Sequence, residues 1–483
     1  MTPSSSGPPV ARRWLADLAW LPGQGVQRDV LIQADGDRFT SVTPTANAPT
    51  TTSAPSITSA SSDITRLHGL TLPGFANAHS HAFHRALRST TQADRGTFWT
   101  WRERMYDVAA RLDPDSYLRL ARATFAEMAL AGISCVGEFH YLHHQPGGRP
   151  YADPNAMGRA LVQAAADAGL RITLLDTCYL AGGLAEDGPL PLAGPQLRFG
   201  DGDAVRWAAR VTELDCDAHG MIAPHAQAGA AIHSVRAVPR EQMHPVVAWA
   251  HRFGAPLHVH MSEQRAENQA CQAVYGMSPT RLLYEQDVLG PRTSVVHATH
   301  VDDGDLELLG GGQTFACLCP TTERDLGDGV GPARTLAAFG SPLCLGSDSQ
   351  AVIDLLEEAR AVELDERLTV RRRGLHEPAD LLRAATCSGM EALGWDGGGL
   401  VAGGLADFTT VSLESARLAG ARRQDLLDQV VFAATAADVS DLVVAGRQVV
   451  RGFRHLLLGD VAGELRRALG KLDEERIGAS DRC

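Results

Sequence analysis

Three histidines and one aspartate in this sequence have the spacing and the chemistry of a metal site. His79 and His81 lie two residues apart after an apolar run, so in a β-strand both imidazoles point to the same face. His260 ends a second apolar run, and Asp348 ends a third. An isolated H-x-H pair is weak support for a metal, whereas three imidazoles and a carboxylate are typical of zinc or iron(II) with one position open for water. We therefore predict one divalent metal, with zinc as the first choice and iron(II) as the alternative.

Two residues near these candidate ligands can handle protons. Glu263 follows the third histidine by three residues, and His297 ends another apolar run. A bound divalent metal lets water attack an sp² carbon at neutral pH. Asp348 would accept the proton of that water, His297 would polarise the water or the substrate, and Glu263 would protonate a leaving nitrogen. We interpret His258 as a core histidine or an outer support of the site, and His300 as a loop residue.

The lysine content excludes several other mechanisms. Of the 44 lysines and arginines, only Lys471 is a lysine. Schiff-base chemistry, a phosphate-binding P-loop and a metal pair bridged by a carboxylated lysine each need a lysine within the site. The sequence therefore favours a single metal ion over a bridged pair.

Eight apolar runs of strand type could position these residues. Most are separated by helical segments such as 118–132 and 155–169, and eight such units predict a (β/α)8 barrel. The fourth run is ambiguous, since 221–225 competes with 229–233. Polar residues cluster where the runs end, which is where the active sites of such barrels form. The runs are 72–79, 133–140, 172–179, 229–233, 256–261, 293–298, 314–319 and 343–348, and the polar residues at their ends are His79, Glu138, His140, His233, His260, His297 and Asp348.

The two terminal parts of the chain each contain a predicted β-hairpin. Residues 30–42 contain two strand-like runs around an Asp-Gly turn, and residues 441–453 contain two around Gly446. We expect these parts to pair into one small β-sandwich domain. Residues 41–66 are rich in Ser, Thr, Ala and Pro, which predicts a flexible loop. The predicted division is 1–71 and 397–455 for the small domain, 72–396 for the barrel and 456–483 for a helical tail.

Composition bounds the location and the partners of the protein. The formal net charge is −13 and no basic stretch dominates, so no nucleic-acid surface is predicted. The nine cysteines lack the spacing of a disulfide framework or a zinc cluster, which is typical of reduced cysteines in the cytoplasm. The sequence contains no apolar signal segment and no apolar span of membrane length, so we expect neither secretion nor a membrane partner.

These motifs resemble a known family. The H-x-H after a barrel strand, the H-x-x-E at 260–263, the strand-end histidine at 297 and the S-D at 347–348 are similar to the one-metal deaminase branch of the amidohydrolase superfamily. Over about residues 67–455 the chain further resembles the N-formimino-L-glutamate deiminases, in the blocks 77–88, 98–106, 137–144, 151–158, 174–180 and 230–238.

The resemblance implies an activity and a set of site residues. The implied reaction is hydrolysis of N-formimino-L-glutamate to N-formyl-L-glutamate and ammonia in histidine degradation, and the implied assembly is a homodimer. The implied metal ligands are His79, His81, His260 and Asp348, and the implied acid–base residues are Glu263 and His297. The implied substrate contacts are His84, Arg102, Tyr141, His233 and Arg236.

The implied substrate contacts agree with the chemistry of a dicarboxylate, because guanidinium groups bind carboxylates bidentately. Some family members have glutamine at the position of His84, and a histidine there can still form a hydrogen bond. His225 competes with His233 as the strand-end histidine, and the spacing to Arg236 favours His233.

Two other functions stay open at this point. Another one-metal deaminase or a chlorohydrolase would act on a ring such as guanine or cytosine, but two arginines near the site argue against a neutral ring. A non-catalytic barrel scaffold would not need every metal and acid–base position that the sequence retains.

Overall fold

The computed structural model describes residues 12–45, 64–90, 98–214 and 220–480. Numbered along the chain, its strands are β1 (Arg12–Leu21), β2 (Gly25–Asp35), β3 (Arg38–Pro44), β4 (Ile64–Pro73), β5 (Phe75–Ser80), β6 (Ile133–His140), β7 (Arg171–Cys178), β8 (Gly183–Ala185), β9 (Gly188–Leu190), β10 (Met221–Ala223), β11 (Ala226–Ser234), β12 (Leu257–Met261), β13 (Thr293–His297), β14 (Phe315–Leu318), β15 (Leu343–Leu345), β16 (Phe408–Val411), β17 (Val439–Val444), β18 (Arg447–Arg451) and β19 (Arg454–His455).

The helices surround the strands and connect them. They are α1 (Phe98–Arg111), α2 (Pro114–Leu130), α3 (Ala156–Ala168), α4 (Ala204–Thr212), α5 (Met243–Phe253), α6 (Arg265–Tyr275), α7 (Pro279–Glu285), α8 (Asp303–Gly311), α9 (Pro320–Leu326), α10 (Ala333–Phe339), α11 (Leu355–Val370), α12 (Pro378–Ala384), α13 (Cys387–Ala392), α14 (Leu426–Ala433) and α15 (Val461–Ser480).

Eight parallel strands form the predicted barrel. Their order is β5-β6-β7-β11-β12-β13-β14-β15, and a bridge between Ser80 and Asp348 joins the last strand to the first. Every residue of β6 and of β7 is buried, because helices cover the outside of the barrel while side chains fill its interior. The (β/α)8 prediction is therefore confirmed.

The ambiguous fourth strand is resolved by hydrogen bonding. β11, which contains 229–233, pairs in parallel with both β7 and β12 and is the barrel strand. Residues 221–223 form β10 instead, and this short strand pairs antiparallel with β11. The barrel has room for one of the two candidates, since only one can hydrogen bond to both neighbours.

Both terminal parts contribute to one small β-domain, as predicted. Its eight strands have the order β19-β18-β17-β16-β4-β1-β2-β3, and Phe408 packs edge-on against Trp14 with ring centroids 5.2 Å apart. The predicted hairpins are β2–β3 and β17–β18. The edge strand β3 also bonds to the segment that leads into β16, since Phe39 donates its backbone N–H to the carbonyl of Gly404 at 2.9 Å.

The prediction of a flexible loop over 41–66 is wrong at both of its ends. Residues 41–44 belong to β3 and residues 64–66 belong to β4. Residues 64–66 of β4 pair with residues 13–15 of β1, so strand pairing orders a segment whose composition alone indicated a loop. Residues 46–63 of the predicted loop lie outside the described residues.

The helix α15 packs on the outside of the barrel. Glu464 of α15 forms an ion pair with Arg122 of α2 at 2.9 Å, and Arg111 of α1 donates to the carbonyl of Leu472 at 2.6 Å. Within the described ranges, no helix has the length and apolar character that crossing a membrane requires.

A buried ion pair joins the barrel to the small domain. Arg171 begins β7 and donates from Nε to Oδ2 of Asp407 at 2.7 Å, and both side chains are at most 4% exposed. Oδ1 of Asp407 also accepts from the backbone N–H of Ala445 at 2.7 Å. Removal of the Asp407 charge would leave the buried Arg171 with only the more distant and exposed carboxylate of Asp37, 3.9 Å from Nη2, as a counter-charge.

We predict that Asp407→Asn lowers the free energy of unfolding by about 3–5 kcal/mol, because Arg171 then stays buried without its counter-charge. Urea denaturation measures the change. The matched control is Asp17→Asn, whose partner Arg66 is 54% exposed; this exposed pair is worth at most about 1 kcal/mol. An equal decrease in the free energy of unfolding in the two variants would contradict a stabilising role of the buried ion pair between Asp407 and Arg171.

Candidate active site

The four predicted metal ligands lie together at the carboxyl end of the barrel. His79, His81, His260 and Asp348 each offer one ligand atom, and these atoms all lie within 4.8 Å of one another. Nε2 of His79 is 3.1 Å from Nε2 of His260 and 3.5 Å from Oδ1 of Asp348, and Nε2 of His81 is 3.4 Å from the same oxygen. All four residues are buried.

The hydrogen bonds of two histidines fix which ring nitrogen faces the centre. Nδ1 of His81 lies 2.9 Å from the carbonyl of Phe139, and Nδ1 of His260 lies 2.9 Å from the carbonyl of His233. A carbonyl only accepts, so each Nδ1 carries the proton and each Nε2 presents a lone pair. Burial lowers the pKa of His81 and of His260 well below its usual value, which keeps both rings neutral. Three neutral imidazoles and a carboxylate fit zinc or iron(II).

The seam that closes the barrel sets the position of Asp348. Its N–H donates to the carbonyl of His79 at 3.0 Å, and its carbonyl accepts from the N–H of His81 at 3.1 Å. A Cβ atom at Gly346 would lie 2.7 Å from the Cβ of His79, so only glycine allows this approach. Asp348 itself has φ 42°, a left-handed conformation that is costly for a side chain of this kind.

Glu138 supports the turn that carries the first two histidines. Its carboxylate accepts from the hydroxyl of Ser80 and from the N–H of Ala82, both at 2.7 Å. Burial raises the pKa of Glu138 to about 8. The sequence placed Glu138 at a strand end without a role. In the structure it holds the turn that carries the candidate ligands His79 and His81.

His140 does not reach this centre. It lies with His143 and Asp176 in a separate buried cluster. Arg210 donates to both oxygens of Asp176 at 2.8 and 3.0 Å, and Trp207 donates to Oδ1 at 3.0 Å. Because these donors occupy the carboxylate, this cluster is a buried ion-pair network.

The two predicted acid–base residues, Glu263 and His297, lie beside the four candidate metal ligands. Nε2 of His297 is 3.9 Å from Oε1 of Glu263 and 3.8 Å from Oδ2 of Asp348. Burial raises the pKa of Glu263. Burial by itself would lower the pKa of His297, but the carboxylates of Glu263, Glu323 and Asp348 raise it to about 10. These groups therefore form a connected set that can hold and move protons between neighbouring atoms.

Sequence reasoning missed Glu323, which orients His297 from the opposite side. Nδ1 of His297 is 3.3 Å from Oε1 of Glu323, and that oxygen also accepts from the N–H of Cys319 at 2.9 Å. The signal in the sequence was P-T-T-E directly after the seventh apolar run, where α9 begins. A buried carboxylate behind an imidazole fixes the ring orientation.

The predicted substrate contacts line one cavity of 70 Å³ in front of the acid–base residues. Nε2 of His84 and the hydroxyl of Tyr141 are 3.0 Å apart in its wall. The cavity is lined by His84, Arg102, Tyr141, His233 and Arg236, as well as by Trp101, Met105, Tyr106, Tyr179, Phe199 and Leu326, which the sequence did not single out.

A second cavity of 370 Å³ adjoins the first and shares Arg102, Tyr179, His233 and Arg236 with it. The two arginines thus stand at the border between a narrow inner space and a wider outer one. Nε of Arg236 is 2.8 Å from Oε2 of Glu267, and Oε1 of Glu267 accepts from the N–H of Ser262 at 3.0 Å. Glu267 therefore connects Arg236 to the backbone beside Glu263.

The competing histidines lie away from the cavity. His225 lies in the turn before β11, and its Nε2 is 3.1 Å from the carbonyl of Val162. His258 is buried with its Nε2 3.1 Å from the carbonyl of Ala392, and His300 lies in the turn after β13. His233 thus occupies the cavity wall and His225 does not.

Comparison with known proteins places this geometry in context. The model of the Amidohydrolase family matches residues 70–449. The chain is 37% identical to a formimidoylglutamate deiminase of Pseudomonas aeruginosa over 83% of this chain and 88% of that protein. It is 28% identical to an 8-oxoguanine deaminase of the same organism, over 78% of this chain and 80% of that protein.

Solved structures agree with the fold. An amidohydrolase from Brucella melitensis superposes with a TM-score of 0.83 at 32% identity, covering 95% of this chain and 99% of its own. An adenosine deaminase from Xanthomonas campestris with bound zinc superposes with a TM-score of 0.80 at 22% identity, covering 96% of this chain and 98% of its own. The second likeness is informative about the fold alone.

We predict that His260→Gln lowers the metal content of the purified protein, because one of four converging donors loses its geometry. The loss of affinity should be at least the roughly 10- to 100-fold that follows removal of an outer support. Elemental analysis by mass spectrometry measures it. The matched control is His258→Gln, two residues earlier on β12 and equally buried. Retention of metal in the first variant, or loss of it in the second, would contradict the assigned ligand set.

Proposed function

This chain belongs to the amidohydrolase family, and from that premise we propose that it hydrolyses N-formimino-L-glutamate to N-formyl-L-glutamate and ammonia, as a step of histidine degradation. The observation that carries this proposal is the pair of arginines, Arg102 and Arg236, in the wall of the cavity that Glu263, His297 and Asp348 also line. The relative at 37% identity bears the name of this activity.

The charges of the cavity suit the charges of this substrate. The formimino group is a basic amidine, and the rest of the molecule carries two carboxylates. The cavity wall contains the carboxylates of Glu263 and Asp348 and the guanidinium groups of Arg102 and Arg236, and Nη2 of Arg236 is 3.6 Å from Oε2 of Glu263. The cationic end would face the carboxylates, and the carboxylate end would face the guanidinium forks, which bind such groups bidentately.

The dimensions also favour a small, extended molecule. The inner cavity of 70 Å³ holds only a few water-sized groups, so it suits the formimino carbon and its nitrogens. The adjoining space of 370 Å³ begins at the arginines and gives room for the dicarboxylate part. A guanine-like or cytosine-like ring is the alternative substrate, but a neutral ring would leave both guanidinium groups without a substrate partner.

The ligand set would hold one divalent ion, for which we propose zinc before iron(II). When bound, such an ion supplies Lewis acidity that brings the ionisation of water near neutral pH. The ion would be held by His79, His81, His260 and Asp348.

The acid–base residues then account for the protons. Water gains a bond to the formimino carbon and gives a proton to Asp348. His297 donates a hydrogen bond that polarises the reacting group. With the amidine protonated at the start, Glu263 gives a proton to the terminal nitrogen, the C–N bond breaks and ammonia leaves. The hydroxyl that came from water gives its remaining proton to Glu263 as the formyl carbonyl forms, and the proton on Asp348 is released to solvent. The reaction consumes one water and needs no further reactant. We further propose a homodimer, as the family resemblance implies, and a cytoplasmic location, as the spacing of the cysteines indicates.

The direct test is release of ammonia from N-formimino-L-glutamate by the protein loaded with zinc or with iron(II). We expect turnover of this substrate and none of guanine, cytosine or 8-oxoguanine. The matched control is the same assay with the apo-protein. Turnover of a ring substrate without turnover of N-formimino-L-glutamate would overturn the proposal in favour of its alternative.

We predict that Glu263→Gln lowers kcat by about 10²- to 10⁴-fold, because the amide cannot protonate the leaving nitrogen. Metal content should stay at the wild-type level, since Glu263 is not among the converging ligands. Ammonia release and elemental analysis measure the two quantities. Loss of metal together with activity would instead make Glu263 a ligand.

We predict that Arg236→Lys raises KM more than it lowers kcat. Lysine keeps the charge beside Glu267 but loses the planar fork for a carboxylate. The expected rise is about tenfold, since hydrogen bonds to charged groups contribute about 1.5–3 kcal/mol. Steady-state kinetics measures it. Arg240→Lys, four residues later in an exposed ion pair with Glu285, is the control and should change neither constant. An unchanged KM in Arg236→Lys would remove this arginine from substrate binding.

A further inference from the structure

A thiol stands directly behind the acid–base residues. Cys319 follows β14 and is completely buried. Its Sγ, one ring nitrogen of His297 and one carboxylate oxygen of Asp348 all lie within 4.8 Å of one another. We propose that Cys319, His297 and Asp348 form a second metal site, selective for thiophilic divalent ions such as cadmium or excess zinc, whose occupation inhibits the enzyme. The inhibitory consequence rests on the proposed function, whereas the binding does not.

The donor set decides which ions this second site prefers. Thiolate is a soft ligand that favours zinc and softer ions, whereas carboxylate and water alone would suit magnesium or calcium. Sulfur, imidazole nitrogen and carboxylate oxygen together are a ligand combination that zinc and cadmium accept. Binding replaces the thiol proton of Cys319 and the proton on the ring nitrogen of His297 that takes the ion, and both protons are released to solvent.

The two oxygens of Asp348 face different partners. Oδ1 is 3.5 Å from Nε2 of His79 and 3.4 Å from Nε2 of His81, whereas Oδ2 is 3.8 Å from Nε2 of His297. One carboxylate can therefore contribute to both sites through separate atoms. Ions bridged in this way lie roughly 3.5–4 Å apart in two-metal enzymes. The lack of a suitable lysine excludes a metal pair bridged by a carboxylated lysine, but it does not exclude a second ion bridged to the first by Asp348.

Two of the three proposed ligands face the substrate side. His297 and Asp348 line the inner cavity, whereas Cys319 is buried and is not among its lining residues. The same histidine is 3.9 Å from Oε1 of Glu263 in the acid–base set. An ion on a ring nitrogen of His297 would take the place of the proton there, so that nitrogen could no longer donate a hydrogen bond within that set, which is the physical reason to expect inhibition.

The chain offers a matched control for the thiol. Cys317 lies two residues earlier on β14, is equally buried, and has Cys344 as its register partner on β15. It is not part of the group formed by His297, Cys319 and Asp348. A general effect of removing a buried thiol from this strand would therefore show in Cys317→Ser as well.

The experiment uses the full chain with its first site already loaded with zinc, titrated with cadmium chloride. Total metal per chain after gel filtration, the ultraviolet charge-transfer band of cadmium bound to thiolate, and ammonia release are measured together. For the wild type we expect a second equivalent of metal, the band, and inhibition in parallel. For Cys319→Ser we expect no band and cadmium affinity lowered by roughly tenfold or more, since even the loss of a group that only supports a ligand lowers metal affinity by about that factor. Cys317→Ser should keep all three.

Several outcomes would overturn the proposal. One is a second equivalent of bound metal with an unchanged charge-transfer band in Cys319→Ser. Another is loss of the second equivalent and of the band in Cys317→Ser but not in Cys319→Ser. If the serine variant does not fold, Cys319→Ala repeats the test with a smaller, apolar side chain. The metal count and the band need no substrate, so failure of the proposed deiminase activity would leave this test intact and distinguishable.

Discussion

The seam where the eighth barrel strand meets the first is the contact on which the candidate site depends. Two backbone hydrogen bonds, from Asp348 to His79 and from His81 to Asp348, place three of the four candidate ligands on the two sides of one junction. Gly346 allows the close approach, and the left-handed backbone of Asp348 turns its side chain toward the histidines. The covalent order of the chain places these residues more than 260 positions apart, so barrel closure is what brings them together.

Buried carboxylates around this seam hold the reactive groups in position. Glu138 holds the turn after β5, Glu323 lies behind His297, and Glu267 connects Arg236 with Ser262. Burial of charge is costly unless each oxygen has partners, and the observed partners are the backbone and side chains next to the candidate ligands. The same interactions that satisfy these carboxylates therefore pre-organise the site. Backbone strain at His297 and Ser262, with φ 73° and 52°, is concentrated in this region.

Groups of both charges line the inner cavity close together. The candidate acid–base residues line it, and the two arginines are shared between it and a larger adjoining space. Such a wall favours a molecule that carries both a cationic and an anionic group over a neutral ring. A substrate without carboxylates would leave the guanidinium groups of Arg102 and Arg236 without a substrate partner, and this cost would be the source of specificity.

The sequence by itself determined the fold class and most of the residues of the candidate site. Strand-end histidines, the H-x-x-E motif and eight apolar runs predicted a barrel with its polar residues at one end, because strand periodicity and the location of barrel active sites are local or general properties. Of these residues, His79, His81, His260 and Asp348 bring ligand atoms within 4.8 Å of one another, and Glu263, His297 and His233 line the same cavity, whereas His140 lies in a separate cluster.

Only the tertiary structure decided the contacts made by non-local partners. Composition predicted a loop at 64–66, but these residues form part of a strand because residues 13–15 of β1, about 50 positions earlier in the chain, pair with them. The P-T-T-E after the seventh apolar run places Glu323 at a strand end but does not show that it faces His297, and nothing local places Cys319 there. Spacing favoured His233 over His225, and the pairing of β11 with β7 and β12 decided between them. A side chain's role depends on what faces it across the barrel, and a linear pattern gives the direction of a side chain along its own strand but not the neighbour that it meets.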